Sequence, residues 1–372
     1  MKKIAFFHPV DDYYGASKIL AYILLFLSKE YQCDVYLPKV TGSLKSMTAD
    51  AGNINFIEFN ELPLAHRGMY NLSGLLKWFK YDIQTFFLLR KIKKQYVFIY
   101  INTVALFSVS FLCRILNIKN IVHCHEYLKG SIYGKLIRLL VNFSANDVIS
   151  VSKHVASYIG KNSLIIHNGI PDIKITENIQ PYKGADDKIN FAIVGRVMPE
   201  KGQWFLLDAL NLLEKDITDK IKIHIYGDAP PTRAYLMRDL KEKILDLHLS
   251  DLIVLHGFDS DASSKIKDVD CCLIPSLMAD PFPTTVLEAM RVGKVIITTS
   301  NGGAKEIILD GVNGFIIEPN DLNEFASTLR KVASLSKQQM NLMGEAARGT
   351  FLENYTVEKF QLRFNNVIRK YI

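Results

Sequence analysis

The residues best suited to chemistry are two carboxylates eight positions apart, Asp280 and Glu288, on either side of a predicted helix start. Prolines keep Asp280 in a loop, and Pro283 is expected to be the first residue of the helix. The N–H groups of Thr284 and Thr285 then lack helical partners and form an anion site. These three features can bind a sugar, a diphosphate and a ribose diol, which are the parts of a nucleotide sugar. At this spacing alone, a loop acid and a surface helix acid remain the alternative.

Two cations follow another predicted strand, the apolar run 189–194. Gly195 opens a turn, Arg196 and Lys201 follow it, and a helix is predicted over Trp204–Leu213. Open α/β sheets bind ligands at the carboxyl ends of their strands, so both cations lie where a ligand is expected. A guanidinium can hold two phosphate oxygens and an ammonium supplies a point charge. Without the acidic motif, a solvated basic face would be the simpler interpretation.

These two segments resemble the Glu-x7-Glu signature and the strand, Gly-Arg, Lys-Gly pattern of the retaining glycosyltransferase family 4. Asp280 stands where that family has its first Glu, and the resemblance implies that it contacts the donor sugar. Glu288 is implied to bind the ribose hydroxyls, and Arg196 and Lys201 to hold the diphosphate. Phe282, between the two acids, is also expected to bind substrate, as are Gly195 and the two threonines.

Other predicted strand ends carry glycine or histidine. Gly227 and His256 follow the next two strands of the second half and are expected near the nucleotide base. In the first half, Gly15 precedes a helix in the loop where the acceptor is expected to enter. Family 4 members commonly carry a cleft histidine at the strand end occupied here by His125, which the resemblance makes catalytic. His123 and His125 share a strand face and could bind zinc, but no third ligand is evident, and His123 is interpreted as structural.

A third segment, with Gly302-Gly303 and Asn313-Gly314, is also similar to family 4. The glycine pair permits a tight turn between a strand and a helix, and its role is expected to be mainly architectural. Asn313-Gly314 favours a hairpin turn before the next strand.

Apolar runs alternate with helical patterns along the whole chain, which predicts parallel α/β sheets with crossover helices. A polar segment at 171–188 is interpreted as a linker between residues 1–170 and 189–354. The resemblance implies the GT-B fold, two doubly wound Rossmann-like domains facing across a cleft, with the last helix (355–372) crossing back to the first. The predicted strands are Ile4–Pro9, Asp34–Leu37, Asn55–Phe59, Val97–Ile101, Asn120–His123, Asp147–Val151, Leu164–Ile166, Ile189–Val194, Lys222–Tyr226, Leu252–Leu255, Cys271–Ile274, Val295–Thr298 and Phe315–Ile317.

Charge is unevenly distributed. Residues 1–170 contain 20 Lys and Arg against 10 Asp and Glu, a net +10, whereas the remainder is slightly acidic. Much of the excess falls in Lys77–Lys94, where aromatic residues are interleaved with it. Such a helix can lie on an anionic membrane surface, or it can pack on the core with a solvated basic face. No nucleic-acid motif accompanies the charge, so a nucleic-acid partner is not expected.

The protein is expected to be cytoplasmic, with peripheral contact to the inner face of the cell membrane. No apolar run reaches the ~18 residues of a membrane span. The first residues do not resemble a secretion signal, and five scattered cysteines are typical of reduced core thiols.

Together these patterns predict a retaining glycosyltransferase with a UDP- or GDP-linked donor and a saccharide acceptor. A lipid-linked acceptor of bacterial surface polysaccharide synthesis (lipopolysaccharide O-antigen or capsule) is expected. No cofactor or metal is expected, because the cations can neutralise the diphosphate; the triplets Asp259–Asp261 and Asp268–Asp270 are interpreted as chance. Alternatives are an inverting GT-B transferase, a nucleotide-sugar epimerase, and a non-catalytic protein that binds polyanions or membranes on the same scaffold.

Overall fold

The computed structural model describes residues 1–65, 71–127, 132–160, 162–173, 188–259 and 262–372. They form two compact units, one of Met1–Gly169 with Val357–Ile372 and the other of Ile170–Thr356. Most of the predicted linker 171–188 lies outside the described residues, as do Ser260 and Asp261 of the first acidic triplet.

The first unit contains a seven-stranded parallel sheet in the order β3-β2-β1-β4-β5-β6-β7. Its central strands are buried on both faces, which explains why they are continuous apolar runs in the sequence. The strands are β1 (Lys3–Phe7), β2 (Gln32–Leu37), β3 (Ile54–Glu58), β4 (Ile99–Ile101), β5 (Asn120–Cys124), β6 (Asp147–Ser150) and β7 (Leu164–Ile165).

Helices connect successive strands of this sheet, as parallel pairing requires. The longest is α3, whose Asn71 side chain caps it by accepting a hydrogen bond from the Gly74 N–H at 2.7 Å. The helices are α1 (Gly15–Leu27), α2 (Ser43–Met47), α3 (Leu72–Ile92), α4 (Phe107–Ile115), α5 (Ile132–Ser144) and α6 (Lys153–Ile159).

The second unit contains a six-stranded parallel sheet in the order β10-β9-β8-β11-β12-β13. One face and its helices form an apolar core around Phe191, Ile223 and Leu273. The strands are β8 (Ile189–Val194), β9 (Ile221–Tyr226), β10 (Ile253–Gly257), β11 (Cys271–Ile274), β12 (Val295–Thr299) and β13 (Phe315–Ile317). The helices are α7 (Gln203–Leu210), α8 (Lys215–Thr218), α9 (Tyr235–Asp246), α10 (Ala262–Lys265), α11 (Thr284–Arg291), α12 (Leu322–Ala333) and α13 (Lys337–Asn354).

A final helix, α14 (Val357–Ile368), belongs to the first unit. Phe360 and Phe364 are fully buried there, and their rings lie 6.4 and 5.7 Å from that of Phe26 on α1. Phe364 also contacts Tyr100 of β4, at 5.6 Å between ring centroids. This helix therefore completes the core of the first unit.

The predicted fold class, two doubly wound Rossmann-like domains, is confirmed, and each predicted strand end lies within two residues of its observed position. The hairpin at Asn313-Gly314 is wrong, because β13 pairs with β12 in parallel. The buried Asn313 side chain instead closes the preceding loop, accepting from the Leu309 N–H at 2.7 Å and donating to the Ile307 carbonyl at 3.2 Å.

Candidate nucleotide-sugar site

Two loops of the second unit meet where β8 and β11 end. The Nζ atom of Lys201 lies 2.8 Å from Oδ2 of Asp280, and the two side chains are 44% and 20% exposed. The Leu277 N–H donates to the Glu200 carbonyl at 2.9 Å, which ties the loops together through the backbone. The structure thus brings together the predicted phosphate-binding ammonium and the predicted sugar-binding carboxylate. An ammonium has three donors, so Lys201 can keep Asp280 and still bind a phosphate oxygen.

Arg196 is half-buried immediately after the turn at Gly195. Its carbonyl accepts a hydrogen bond of 2.9 Å from the side chain of Gln203, the first residue of α7, which is fully buried. Oε1 of the Gln203 side chain also accepts a hydrogen bond from the Met198 backbone N–H at 3.4 Å. This glutamine shapes the loop that carries both cations, and sequence reasoning missed its role.

The turns after β8 and β9 touch through their backbones. The Gly195 N–H donates to the Tyr226 carbonyl at 2.9 Å, and a Cβ on Gly227 would lie 1.9 Å from the Gly195 carbonyl oxygen. Gly227 also has a φ of +143°, which L side chains rarely adopt. Only glycine fits this approach of two turns, so Gly227 is architectural as well as close to the expected base position.

His256 lies flat on a neighbouring aromatic ring. Its ring centroid is 4.1 Å from that of Tyr226, with the planes 7° apart, and its Nε2 is 3.0 Å from Nδ1 of His224. Burial lowers the pKa of both histidines, and His256 is the less buried of the two. The exposed His256 ring is thus fixed at the end of β10 beside the Gly227 turn.

Helix α11 begins at Thr284, and Pro283 is its extended N-cap rather than its first helical residue. The difference arises because the backbone of Pro283, with ψ of 118°, has not yet entered the helix. Thr284 and Thr285 are thus the first two helical residues, and their N–H groups have no acceptor one turn earlier. The prediction of where an anion would bind is therefore unchanged.

Glu288 and Phe282 are more buried than is expected of residues that contact a substrate. The Glu288 side chain is 5% exposed in the second turn of α11. Phe282 is 4% exposed, and its ring lies 6.0 Å from that of Tyr355. The Phe282 side chain therefore supports the loop from beneath, and only its backbone can reach a ligand. Glu288 as a whole residue therefore has little exposed surface.

The Gly302-Gly303 turn packs directly on the acidic loop. Gly302 pairs with Asp280 in an isolated parallel bridge, and the Gly303 N–H donates to the Asp280 carbonyl at 2.9 Å. A Cβ on Gly302 would lie 2.2 Å from that carbonyl oxygen. The glycine pair thus fixes the Asp280 backbone.

The two predicted site residues of the first unit lie close to one another. Gly15 is the first residue of α1, and the carbonyl of the next residue, Ala16, accepts a hydrogen bond from the Asn102 amide at 3.3 Å. Oδ1 of the same Asn102 side chain lies 3.0 Å from Nε2 of His125. Burial lowers the pKa of His125 to about 3, so its imidazole is neutral at physiological pH.

His123 faces inward and is fully buried. Its Nδ1 is hydrogen-bonded to the Tyr100 hydroxyl, and its ring centroid lies 4.0 Å from that of His125. Burial lowers its pKa well below the usual range. In the described part of the chain, His, Cys, Asp and Glu side chains form no group of three that could hold a metal ion.

The second acidic triplet has an internal partner. Oδ2 of Asp270 accepts the backbone N–H of Asn190 at 2.8 Å, which links β8 to the start of β11. Burial raises the pKa of Asp270, an effect partly offset by this hydrogen bond and by Lys294. This carboxylate therefore connects the beginnings of two neighbouring strands.

Comparison with known proteins places these features in a family. Residues 174–350 match the family described as "Glycosyl transferases group 1", a segment that contains Arg196, Lys201, Asp280 and Glu288. Residues 174–350 belong to the group 1 glycosyl transferases. The ion pair between Lys201 and Asp280 thus joins two loops of a group 1 domain.

The chain is similar to two curated transferases over half of its length or slightly less. It is 25% identical over 192 residues to lipopolysaccharide 1,2-N-acetylglucosaminetransferase of Salmonella typhimurium, covering 50% of each chain. It is 27% identical over 171 residues to an Escherichia coli enzyme, UDP-Gal:alpha-D-GlcNAc-diphosphoundecaprenol alpha-1,3-galactosyltransferase, covering 45% of this chain and 42% of the relative. The matches therefore span half or less of the length of these two relatives.

Likeness to solved structures extends over the whole chain. HepE of Anabaena, solved in complex with UDP-glucose, is 21% identical and matches all of both chains with a TM-score of 0.81. At this identity the likeness shows the fold, which is GT-B. The group 1 domain is thus the second of two Rossmann-like units of a GT-B protein.

Proposed function

We propose that the protein is a retaining glycosyltransferase that moves a sugar from a UDP- or GDP-linked donor to a saccharide acceptor. The observation that carries this proposal is the ion pair of 2.8 Å between Lys201 and Asp280. It places a cation that can bind phosphate against a carboxylate that can accept hydrogen bonds from sugar hydroxyls. Membership of the group 1 family supports the same reaction, as does the UDP-glucose bound to the Anabaena protein.

The donor diphosphate is held by Arg196, Lys201 and the first N–H groups of α11. These groups are positioned by Gln203 and by the Gly302-Gly303 turn, so they are in place before charge develops. They stabilise the negative charge of the leaving diphosphate as the bond from the anomeric carbon to its oxygen breaks. The acceptor hydroxyl oxygen bonds to the same face of that carbon, and its proton passes to the departing diphosphate. Glu288 binds the ribose diol.

No metal ion is included in the proposal. A divalent cation in other transferases neutralises the diphosphate, and here two side-chain cations and a helix start supply positive charge at the same place. The donor site is therefore expected to work with side chains and backbone alone.

Donor binding and transfer can be tested together. UDP or GDP is expected to raise the melting temperature in a thermal-shift screen that also contains ADP and the corresponding sugars, because only a bound nucleotide stabilises the folded state. With the matching nucleotide sugar, hydrolysis or transfer is expected to continue in excess EDTA, and the product is expected to retain the anomeric configuration of the donor.

Other outcomes would each contradict part of the proposal. An inverted product would indicate an inverting transferase, and an altered nucleotide sugar would indicate an epimerase. Activity that EDTA removes and manganese restores would show that a metal is needed. The absence of both binding and turnover with every nucleotide would leave a non-catalytic scaffold as the better interpretation.

The acceptor is proposed to be lipid-linked, at the cytoplasmic face of the membrane, since the first unit has an unusual surface. On α3 only Thr85, Leu89 and Ile92 are buried. The apolar side chains on its outer face recur at helical spacing and are 38–74% exposed: Leu72, Leu75, Leu76, Phe79, Ile83 and Phe87. A helix that packed its apolar face on the core, which was the alternative, would bury these residues.

Helix α5 repeats this pattern. It carries a stripe of outward apolar side chains that are 51–77% exposed: Ile132, Leu136, Leu139 and Phe143, with Tyr133 beside them. Helix α4 contacts both α3 and α5, and Arg114 of α4 lies over the Phe143 ring at 5.8 Å. Apolar stripes with basic neighbours are suited to the interface of an anionic bilayer. No described helix has the length and apolar character needed to span a bilayer.

Flotation with liposomes tests this surface. The wild-type protein is expected to float with anionic vesicles at low salt and to float less at high salt, since each basic residue near the leaflet adds about 1 kcal/mol. A variant with six exposed residues of α3 and its end changed to Gln is expected to stay at the bottom: Lys77, Lys80, Arg90, Lys91, Lys93 and Lys94.

The matched control removes the same charge from exposed positions elsewhere and is expected to float like wild type: Lys29, Lys39, Lys45, Lys215, Lys220 and Lys241 changed to Gln. Equal loss in both variants would mean that total charge matters and α3 does not. A wild-type protein that never floats would indicate a soluble acceptor.

A further inference from the structure

Five polar side chains of the first unit form an unbroken hydrogen-bonded chain. Nε2 of His125 lies 3.0 Å from Oδ1 of Asn102, and Nδ2 of Asn102 lies 3.1 Å from Nδ1 of His8. Nε2 of His8 lies 2.9 Å from the Ser17 hydroxyl, which donates to Oδ1 of Asp12 at 2.7 Å. The chain runs from a half-buried imidazole through three side chains at most 1% exposed to a half-buried carboxylate.

The amide of Asn102 has a fixed orientation. Its Nδ2 also lies 3.3 Å from the Ala16 carbonyl oxygen, which can only accept a hydrogen bond. The NH2 group therefore faces Ala16 and His8, and the carbonyl oxygen faces His125. With the Asn102 amide in this orientation, Nδ1 of His8 must accept a hydrogen bond from Asn102, and Nε2 of His125 must donate one to it.

The opposite end gives the same assignment independently. The Asp12 carboxylate also accepts the Tyr14 backbone N–H at 3.1 Å, so it acts as an acceptor. The single hydroxyl proton of Ser17 goes to Asp12, and the Ser17 oxygen must accept from Nε2 of His8. A neutral His8 with its proton on Nε2 satisfies both ends at once.

We propose that this chain holds His125 as the neutral tautomer with its proton on Nε2, so that Nδ1 is a fixed hydrogen-bond acceptor for a substrate hydroxyl. Asn102, His8, Ser17 and Asp12 are then positioning residues that act through His125. That the hydroxyl belongs to a sugar or its acceptor rests on the proposed function, whereas the tautomer does not.

The surroundings of the chain agree with a neutral imidazole. Burial lowers the pKa of His8 to about 3, an effect increased by His125 and partly offset by Asp11. Two further titratable groups lie nearby: His123, which is neutral for the same reason, and Glu126, whose carboxylate accepts the Val104 N–H at 3.2 Å. Within the described residues, no hydrogen bond is formed by Nδ1 of His125, which leaves that nitrogen for a ligand.

The tautomers can be read from nitrogen-15 spectra of the histidine rings in the full chain, assigned with His8→Gln and His125→Gln variants. Both rings are expected to show a protonated Nε2 and an unprotonated Nδ1 from pH 5 to pH 8. A proton on Nδ1 of either ring, or a cationic ring, would overturn the proposal. This readout needs no turnover, so it separates the proposal from the proposed function.

A variant tests the catalytic consequence. Asn102→Asp keeps an oxygen facing His125 but adds a negative charge, which is expected to raise the pKa of His125 by about one to three units. The acid limb of the kcat/KM profile should then move upward by the same amount, because a protonated Nδ1 cannot accept a hydrogen bond. The control Asn117→Asp adds the same charge at an exposed position outside the chain and should leave the profile unchanged. An unshifted profile in Asn102→Asp, with His125 shown by NMR to have become cationic, would exclude a role for Nδ1.

Discussion

Replacing Lys201 by Ala is expected to lower kcat/KM for transfer by about 100- to 1000-fold, or about 3 to 4 kcal/mol of transition-state binding. Two effects add in this variant. The ammonium that is proposed to face the leaving diphosphate is lost, and the Asp280 side chain, 20% exposed, loses its partner at 2.8 Å. Arg196→Ala should cost a similar amount, since its guanidinium is expected to bind the same diphosphate. Steady-state kinetics with the donor identified by thermal shift provide the measurement.

A lysine of the same unit serves as the control. Lys215 is 87% exposed and pairs with Asp219 at 3.1 Å one helical turn away. Lys215→Ala should keep native kinetics, because exposed pairs of this kind contribute little. All three variants should have wild-type circular dichroism. Near-native kcat/KM in both Arg196→Ala and Lys201→Ala would show that the donor site has been assigned to the wrong loops.

The second large effect is on folding. Gly227→Ala is expected to destabilise the second unit by about 2 to 4 kcal/mol. The new Cβ would lie 1.9 Å from the Gly195 carbonyl oxygen, and both partners are backbone, so one turn must move away from the other. The positive φ of +143° adds strain. The midpoint of urea unfolding should fall, and nucleotide binding should weaken with it, because Gly195 precedes Arg196.

Substitution of Gly257 distinguishes the effect of backbone strain from that of a steric clash. It is the last residue of the next strand, β10, and has a φ of +72°, yet a Cβ there would meet nothing within 4 Å. Gly257→Ala should therefore cost only about 1 kcal/mol, the strain of the left-handed backbone. If both alanine variants lose the same stability, the approach of the two turns is not what requires glycine at 227.

The strands were predictable because parallel strands covered on both faces must be apolar throughout, and few other segments of the chain are. The loop that carries Arg196 and Lys201 was also predictable, since a glycine turn and cations at a strand end carry a local signal. Pro283 was placed one position too far into α11, because proline suits both the N-cap and the first helical turn and its ψ decides between them.

The buried network could not be predicted, since its members are far apart in sequence. His8, Asn102 and His125 follow β1, β4 and β5, and only the strand order β1-β4-β5 makes them neighbours. Each is a single polar residue at a strand end, without a pattern of its own. Gln203 was missed for a related reason: its polar side chain is fully buried, and only the path of the preceding loop shows what it bonds.

The return of α14 to the first unit has a consequence for synthesis on the ribosome. Residues 1–169 emerge first, but Phe360 and Phe364, which pack against Phe26, are translated only after the entire second unit. Nascent domains usually fold in order from the N-terminus, and here the first must wait with part of its apolar surface uncovered. The second unit is contiguous and can complete its own core earlier. Vectorial translation therefore favours a folding order in which the group 1 domain matures before the unit that precedes it.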